Sequence, residues 1–101
     1  MTHKNDRPEY LYKIVSPEQW QTSQQENRVI NTPIDTDFIH LATEAQIAHV
    51  LNKFWKGKEH IIVKIFSEKL VGRLVCEANP GGTTKYYHLY EGIIPLDAVV
   101  T

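Results

Sequence analysis

The sequence is poor in cysteine, has no excess of basic residues and lacks long hydrophobic runs. The single cysteine, Cys76, cannot form an internal disulfide, and no second cysteine is present to help build a zinc site. Because Cys76 follows Leu74 and Val75 in an apolar run, we expect a small buried thiol. With 11 Lys and Arg against 12 Asp and Glu, the formal charge is -1, whereas nucleic-acid binders carry a basic excess on one face. General nucleic acid is therefore not an expected partner.

The chain also lacks the segments that mark membrane or exported proteins. No apolar run approaches the length of a membrane span, and no signal-peptide pattern follows the polar start. We therefore expect a cytoplasmic protein that has no membrane partner. The hydrophobic fraction of 42% and charged fraction of 23% are typical of a globular protein, and 101 residues provide one core. Residues 1–8 predict a flexible leader before a single domain over residues 9–101, and no pattern indicates the oligomeric state.

Local patterns predict two helices among several strands. Capping-box sequences open the helices, at Ser16-Pro17-Glu18-Gln19 and at Thr43-Glu44-Ala45-Gln46. The second helix has one apolar side and ends at Gly57. Strands are predicted over residues 10–15, 38–41, 60–66, 74–77, 86–90 and 93–100. The strand over residues 60–66 is nearly continuous in apolar residues, so we expect it to be central. Helices early and strands late favour an α+β fold with small mixed or mainly antiparallel sheets.

Two histidines lie inside predicted strands, where an imidazole needs hydrogen-bond partners. His40 follows Phe38 and Ile39, and His88 shares one face of its strand with Tyr86 and Tyr90. A histidine between tyrosines could form the wall of a site for a planar ligand, and imidazole can act as acid, base or hydrogen-bond donor. The alternative is that each histidine is a half-buried structural residue with satisfied ring nitrogens. The distance between the two rings decides whether they can share a site.

Three further polar residues are candidates. Thr43 is expected to cap its helix, and a ligand phosphate or carboxylate could bind the same helix terminus. Glu77 ends an apolar strand, so it is either a buried carboxylate with a shifted pKa or an exposed residue at a sheet edge. Glu91 is interpreted as a solvated turn residue. No third ligand at a suitable spacing joins the two histidines, so we predict no metal site.

The sequence resembles the DUF952 family, a group of small bacterial domains of unknown function, from about residue 10 to residue 100. The matching residues are Tyr12-Lys13-Ile14, Trp20, Asp37-Phe38-Ile39-His40-Leu41, Gln46, Phe54, Glu77, His88-Leu89-Tyr90-Glu91-Gly92 and Asp97. The combination of Phe-Ile-His-Leu with the later His-Leu-Tyr is the specific part of this resemblance.

The resemblance implies a fold similar to that of ADP-ribosyltransferases, in which a cleft between two small sheets receives NAD or a related nucleotide. In such a site His40 would hold the nicotinamide-side ribose, and His88 would be the second polar residue. Thr43, Tyr86 and Tyr90 would then contact the nucleotide. The catalytic carboxylate would be Glu77 or Glu91.

Two functions remain open at this point. One is an ADP-ribosyltransferase-like enzyme that takes NAD or a similar nucleotide as substrate, with His40, His88 and Glu77 as catalytic residues and no cofactor assigned. The other is a non-catalytic ligand-binding or sensor module with the same cleft. A purely structural domain, in which both histidines belong to the core, is a third interpretation.

Overall fold

The computed structural model describes residues 7–100. The elements in chain order are β1 (Tyr10–Val15), α1 (Pro17–Glu26), β2 (Arg28–Val29), β3 (Ile39–Leu41), a 3₁₀ turn (Glu44–Gln46), α2 (Ile47–Phe54), β4 (Ile61–Phe66), a second 3₁₀ turn (Ser67–Lys69), β5 (Val71–Ala78), β6 (Lys85–Pro95) and a third 3₁₀ turn (Leu96–Ala98). Most of the predicted leader and residue 101 lie outside the described residues. The α+β class with two α-helices is confirmed.

Strand β6 organises the larger sheet. It pairs antiparallel with β2, β3 and β5. Strands β1 and β4 form a separate antiparallel pair. The two sheets are joined where Tyr12 and Ala42 exchange backbone hydrogen bonds of 2.8 Å, just beyond the end of β3. The predicted antiparallel sheets are therefore confirmed.

The hydrophobic core lies between the two sheets and α1. Its most completely buried apolar side chains, all at most 1% exposed, are Leu11, Val15, Val29, Ile65, Leu89, Ile94 and Ala98. The indole of Trp20 packs against this cluster from α1. Helix α1 begins as its sequence predicts, because Ser16 Oγ accepts a hydrogen bond from Gln19 N and Gln19 Oε1 accepts one from Ser16 N.

Strand β4 does not occupy the central place that its apolar sequence suggested. It pairs with β1, and a single bridge from Ile65 reaches Val99. Only alternate residues, Val63 and Ile65, are buried, while Ile62 is 42% exposed. The prediction failed because an apolar run is also compatible with a strand that buries one face.

Strand β6 is longer than predicted. The strand predicted over residues 86–90 and the first part of the strand predicted over residues 93–100 form one strand that ends at Pro95, and the rest of the second prediction was wrong because Leu96–Ala98 is a 3₁₀ turn. Glu91 is an exposed residue within β6 rather than a turn residue. Glu91 has a left-handed φ of 51°, and the register with β5 shifts between Val71 and Arg73. This irregularity has the form of a β-bulge, which bends a strand without ending it.

The prediction of a buried Cys76 was wrong, since the thiol is exposed. Cys76 lies on β5, which pairs with β6 along one side only. Several other residues at the start of β5, including Val71 and Arg73, are also exposed. Apolar side chains of β5 can stay exposed because no strand of the described chain other than β6 pairs with it.

Candidate functional site

The two predicted histidines lie opposite each other on neighbouring strands. His40 of β3 and His88 of β6 are a cross-strand pair, so both side chains are on the same face of the sheet. Their ring centroids are 5.4 Å apart at an interplanar angle of 62°. Phe38 joins them, with its ring 4.7 Å from that of His40 and stacked on His88 at 3.9 Å. The structure therefore brings His40 and His88 into one cluster.

Asp35, in the loop between β2 and β3, holds His40 in place. Its Oδ1 accepts hydrogen bonds of 2.9 Å from both His40 N and His40 Nδ1. Its Oδ2 accepts from Thr32 N and Thr32 Oγ1, at 2.8 and 2.9 Å, and lies 2.8 Å from the ammonium nitrogen of Lys13. The Asp35 side chain has no exposed surface. Sequence reasoning did not identify this residue.

The charge state of Asp35 follows from these contacts. Burial raises the pKa of its carboxyl, but the hydrogen bonds from His40, Lys13 and Thr32 and the charge of Lys13 hold that pKa well below the ordinary value. A carboxylate only accepts hydrogen bonds, so His40 Nδ1 carries a hydrogen atom and donates a hydrogen bond to Asp35. With Nδ1 held in this way, Nε2 is the ring nitrogen left for a ligand, and it has no hydrogen-bond partner within residues 7–100.

Lys13, a residue of β1, is 3% exposed and contacts both Asp35 and His40. Its Nζ contacts Asp35 and also donates to the backbone oxygen of His40 at 3.0 Å. Burial lowers the pKa of the Lys13 ammonium, and the Asp35 carboxylate opposes that shift. A lysine within a strand whose other residues are apolar is the one sequence signal that could have indicated a buried carboxylate nearby.

His88 has a different role, because both of its ring nitrogens are occupied. The side chain is fully buried, with Nδ1 2.8 Å from Glu77 Oε2 and Nε2 2.8 Å from Asn79 Oδ1. Tyr90 also donates its hydroxyl to Glu77 Oε2. These contacts tie the β5–β6 hairpin together. They leave no nitrogen of His88 available to a ligand.

Glu77 is half-buried, with 36% of its side chain exposed, and its carboxylate is shared between two partners. The hydrogen bonds that Tyr90 and His88 donate lower the pKa of the Glu77 carboxyl. The hydrogen bond between Tyr90 and Glu77 also raises the pKa of the Tyr90 hydroxyl. Arg73 lies over the Tyr90 ring, 4.7 Å from its centroid. Neither sequence interpretation of Glu77, fully buried or simply exposed, describes this bridging position.

A cleft of about 540 Å³ opens beside His40, between α2, the loop that carries Asp35 and the strands β1 and β3. The lining residues are Tyr12, Lys13, Ile14, Gln19, Thr32, Pro33, Ile34, His40, Leu41, Ala42, Val50, Phe54, Trp55, Lys58, Asn79 and Tyr86. No aspartate or glutamate of the described chain is among them. His40, 27% exposed, is the histidine that reaches this cleft.

Of the three further residues predicted to contact a ligand, only Tyr86 lines the cleft. Tyr86 lines the cleft with His40, whereas Tyr90 belongs to the Glu77 network behind it. Thr43 faces a separate hollow near Pro8 and Glu9, and its amide donates to Gln46 Oε1 at 3.0 Å. Thr43 is thus a helix-start residue that the structure does not bring to His40.

No three His, Cys, Asp or Glu side chains of residues 7–100 come together in a way that could hold a metal ion. Across the same residues, neither helix has the length and apolar character needed to cross a bilayer.

This α+β domain is similar to known proteins in both its sequence and its fold. The family model described as "Protein of unknown function (DUF952)" matches residues 14–101, so the chain belongs to this family. The fold is similar to the crystal structure of protein CC0527 from Caulobacter crescentus. That likeness has a TM-score of 0.78 and 26% identity, and covers 91% of this chain and 82% of the other. A double mutant of the same Caulobacter protein gives a TM-score of 0.77 at the same identity and coverage. No curated protein matches the chain significantly.

Proposed function

We propose that the cleft binds a nucleotide of the NAD type and that the domain is ADP-ribosyltransferase-like. The observation that carries this proposal is the anchoring of His40 beside the cleft: Asp35 holds Nδ1, and Nε2 has no hydrogen-bond partner among residues 7–100. A fixed, partly exposed hydrogen-bonding atom at the edge of an apolar cleft is the usual arrangement of a small-molecule site. The cleft volume of about 540 Å³ falls within the roughly 300–1,000 Å³ of such sites.

The ligand chemistry follows from the hydrogen bonding of His40. With Nδ1 donating to Asp35, Nε2 is left to form a hydrogen bond with a ligand, which suits a ribose hydroxyl because a hydroxyl can both donate and accept. Tyr86, Phe54 and Trp55 supply aromatic surface for a base in the same cleft. In a transferase, loss of nicotinamide would leave a positively charged ribose that the site must stabilise electrostatically.

The distribution of carboxylates favours a second candidate, a binding module without turnover. The cleft lining contains no aspartate or glutamate of the described chain. Asp35 is buried beneath His40, and Glu77 is bound by His88 and Tyr90. A transferase would have to free Glu77 from these partners before using it at the ribose, whereas a sensor or carrier would not.

Calorimetric titration with NAD and ADP-ribose tests the proposal. We expect binding to the natural chain, and affinity about tenfold weaker in His40→Gln, since a hydrogen bond to the ligand is lost. His49→Gln is the matched control, because His49 is exposed and does not line the cleft. Failure of both ligands to bind at millimolar concentration, or equal affinity in His40→Gln, would overturn the proposal.

Nicotinamide release then separates the two candidates. Release from NAD by the natural chain, reduced in Glu77→Gln, would support the transferase. Binding without release on prolonged incubation would support the non-catalytic module.

A further inference from the structure

Helix α2 has an apolar side that does not enter the core. Its sequence is strongly amphipathic, yet none of its residues is fully buried. Val50 and Phe54, together with Trp55 at the helix end, line the cleft instead, and Phe54 is 56% exposed. An amphipathic helix normally buries this side against the protein. Here that side forms one wall of an open site.

The opposite wall is also apolar. Ile34, next to the buried Asp35, is 64% exposed and lines the same cleft with Pro33. Exposed large apolar side chains on both sides of a concave site mark a place where a flat apolar group can be covered from two directions. Aromatic rings of a ligand gain stacking energy against Phe54 and Trp55.

Lys58 lines the cleft close to Trp55 and provides a positive charge there. Lys58 follows the turn at Gly57, where φ is 75°, and its amide donates to Trp55 O at 2.9 Å. Lys13, the other lysine in the lining, is already paired with Asp35, whereas Lys58 has no carboxylate partner within residues 7–100. The lining therefore offers a ligand one unpaired ammonium group and no aspartate or glutamate from the described chain.

We infer that α2 and the turn after it determine the ligand class, and that the cleft selects a mononucleotide. The base lies against Phe54 and Trp55, the single phosphate contacts Lys58, and the ribose hydroxyls face His40. This inference rests on the proposed function and narrows it. The cleft lining contains no second unpaired cation of the described chain for the other phosphate group of a pyrophosphate, so the second half of a dinucleotide adds little to binding.

Tryptophan fluorescence provides a direct test, because the chain has two tryptophans and only Trp55 lines the cleft. In a Trp20→Phe background, we expect AMP and nicotinamide mononucleotide to change the Trp55 emission on binding. Phe54→Ala should weaken the binding of both about tenfold, through loss of stacking. NAD should bind no more tightly than the mononucleotides.

The phosphate contact is isolated by comparing AMP with adenosine. Lys58→Gln should weaken AMP about fivefold and leave adenosine unchanged, since only AMP carries the charge. Lys56→Gln is the matched control, because Lys56 is exposed two residues away and does not line the cleft. Equal losses for AMP and adenosine, or for the two lysine variants, would overturn the assignment of Lys58.

The outcomes separate this inference from the proposed function. If nucleotides bind and His40→Gln weakens them while Phe54→Ala and Lys58→Gln do not, the role of α2 is wrong and the nucleotide site stands. NAD binding much more tightly than either mononucleotide would overturn the ligand class alone. If no nucleotide binds the natural chain, the proposed function fails, and this inference fails with it.

Discussion

At the scale of single residues, Asp35 organises the site. Five donor groups converge on its carboxylate, two from His40, two from Thr32 and one from Lys13. They fix the orientation of His40 and connect the loop before β3 to strand β1. Since both members of the Lys13–Asp35 pair are buried, removing one leaves the other as an uncompensated charge.

Asp35→Asn is therefore expected to lower the free energy of unfolding by about 3–5 kcal/mol, the usual result of breaking a buried ion pair. Urea unfolding followed by circular dichroism measures this. Asp37→Asn is the matched control, since Asp37 is exposed two residues further on and should change stability by less than about 0.5 kcal/mol. Equal midpoints for the two variants would show that the buried pair contributes little.

The same carboxylate predicts how stability depends on pH. The pKa of Asp35 is lower in the folded protein than in the unfolded chain, where it is about 3.9. The unfolded state therefore takes up the proton first as the pH falls. The contribution of Asp35 is fully present above about pH 4 and is lost progressively below it, as the pH falls toward the depressed folded pKa.

Urea unfolding at a series of pH values between about 2 and 6 tests this linkage. The natural chain should lose stability more steeply on acidification than Asp35→Asn, which has no carboxyl group at this position. Parallel curves for the two proteins would contradict the assignment.

At the scale of secondary-structure elements, two glycines allow β5 and β6 to cross closely at the bulge. Gly72 has a φ of 126°, and a Cβ added to it would lie 2.6 Å from Gly92 Cα. A Cβ on Gly92 would lie 2.3 Å from the Val71 carbonyl oxygen and 2.6 Å from Leu89 Cγ. The backbones can approach this closely only because neither residue has a side chain.

Gly92→Ala should consequently destabilise the protein by about 2 kcal/mol, because the new methyl group must displace β5 or the buried Leu89. Thermal unfolding of the variant provides the measurement. Gly82→Ala is a suitable control, since a Cβ there meets only Asn79 O at an ordinary 3.5 Å. A Gly92→Ala protein as stable as this control would mean that the bulge relaxes at little cost.

The sequence predicts those elements whose signals are local. The start of α1 is correct because Ser16 and Gln19 cap each other within four residues. The predicted central position of β4 and the predicted break within β6 were wrong, because the pairing of these strands depends on residues far away in the chain. Glu91 was interpreted as a turn residue, yet the pairing of Tyr90 with Arg73 and of Ile93 with Val71 keeps it within a paired strand. Cys76 was assigned to the core for the same reason, since an apolar run does not reveal which strand is at an edge.

At the scale of the whole molecule, the domain combines a well-packed core with a loosely attached helix. The core lies between the sheets and α1, whereas no residue of α2 is fully buried. A helix with little buried surface opens at a low free energy. Amide hydrogen exchange should consequently be at least about tenfold faster in α2 than in β1.

Mass spectrometry or NMR of the exchanging amides checks this expectation. Helix α1 is the internal control, because it is capped and fixed to the core by Trp20. Equal protection of α1 and α2 would show that α2 is held by contacts stronger than its exposure suggests. A bound nucleotide should slow exchange in α2, whose Val50 and Phe54 line the cleft.

The sequence predicted the two histidines of the candidate site but not its buried Lys13–Asp35 pair. His40 and His88 were recognisable as polar residues within apolar strands, although their direct pairing depends on a register that no local pattern reveals. Asp35 lies in a turn-rich loop with no periodicity, so its partner could be found only through Lys13. The cleft itself depends on α2 staying apart from the core, which its amphipathic pattern did not predict.

The central place of β6 has a consequence for how the chain folds. Its residues 85–95 supply the pairing partner of β2, β3 and β5, which all precede it in the sequence. During synthesis, a chain that has emerged only as far as β5 lacks the strand that joins these three, and Phe38 and His40 have no opposite strand to rest on. The larger sheet therefore closes late, through contacts between residues far apart in the chain, which slows folding relative to helical domains of similar size. Until that moment three strands expose unpaired edges, and the nascent chain is most prone to aggregation just before its last strand arrives.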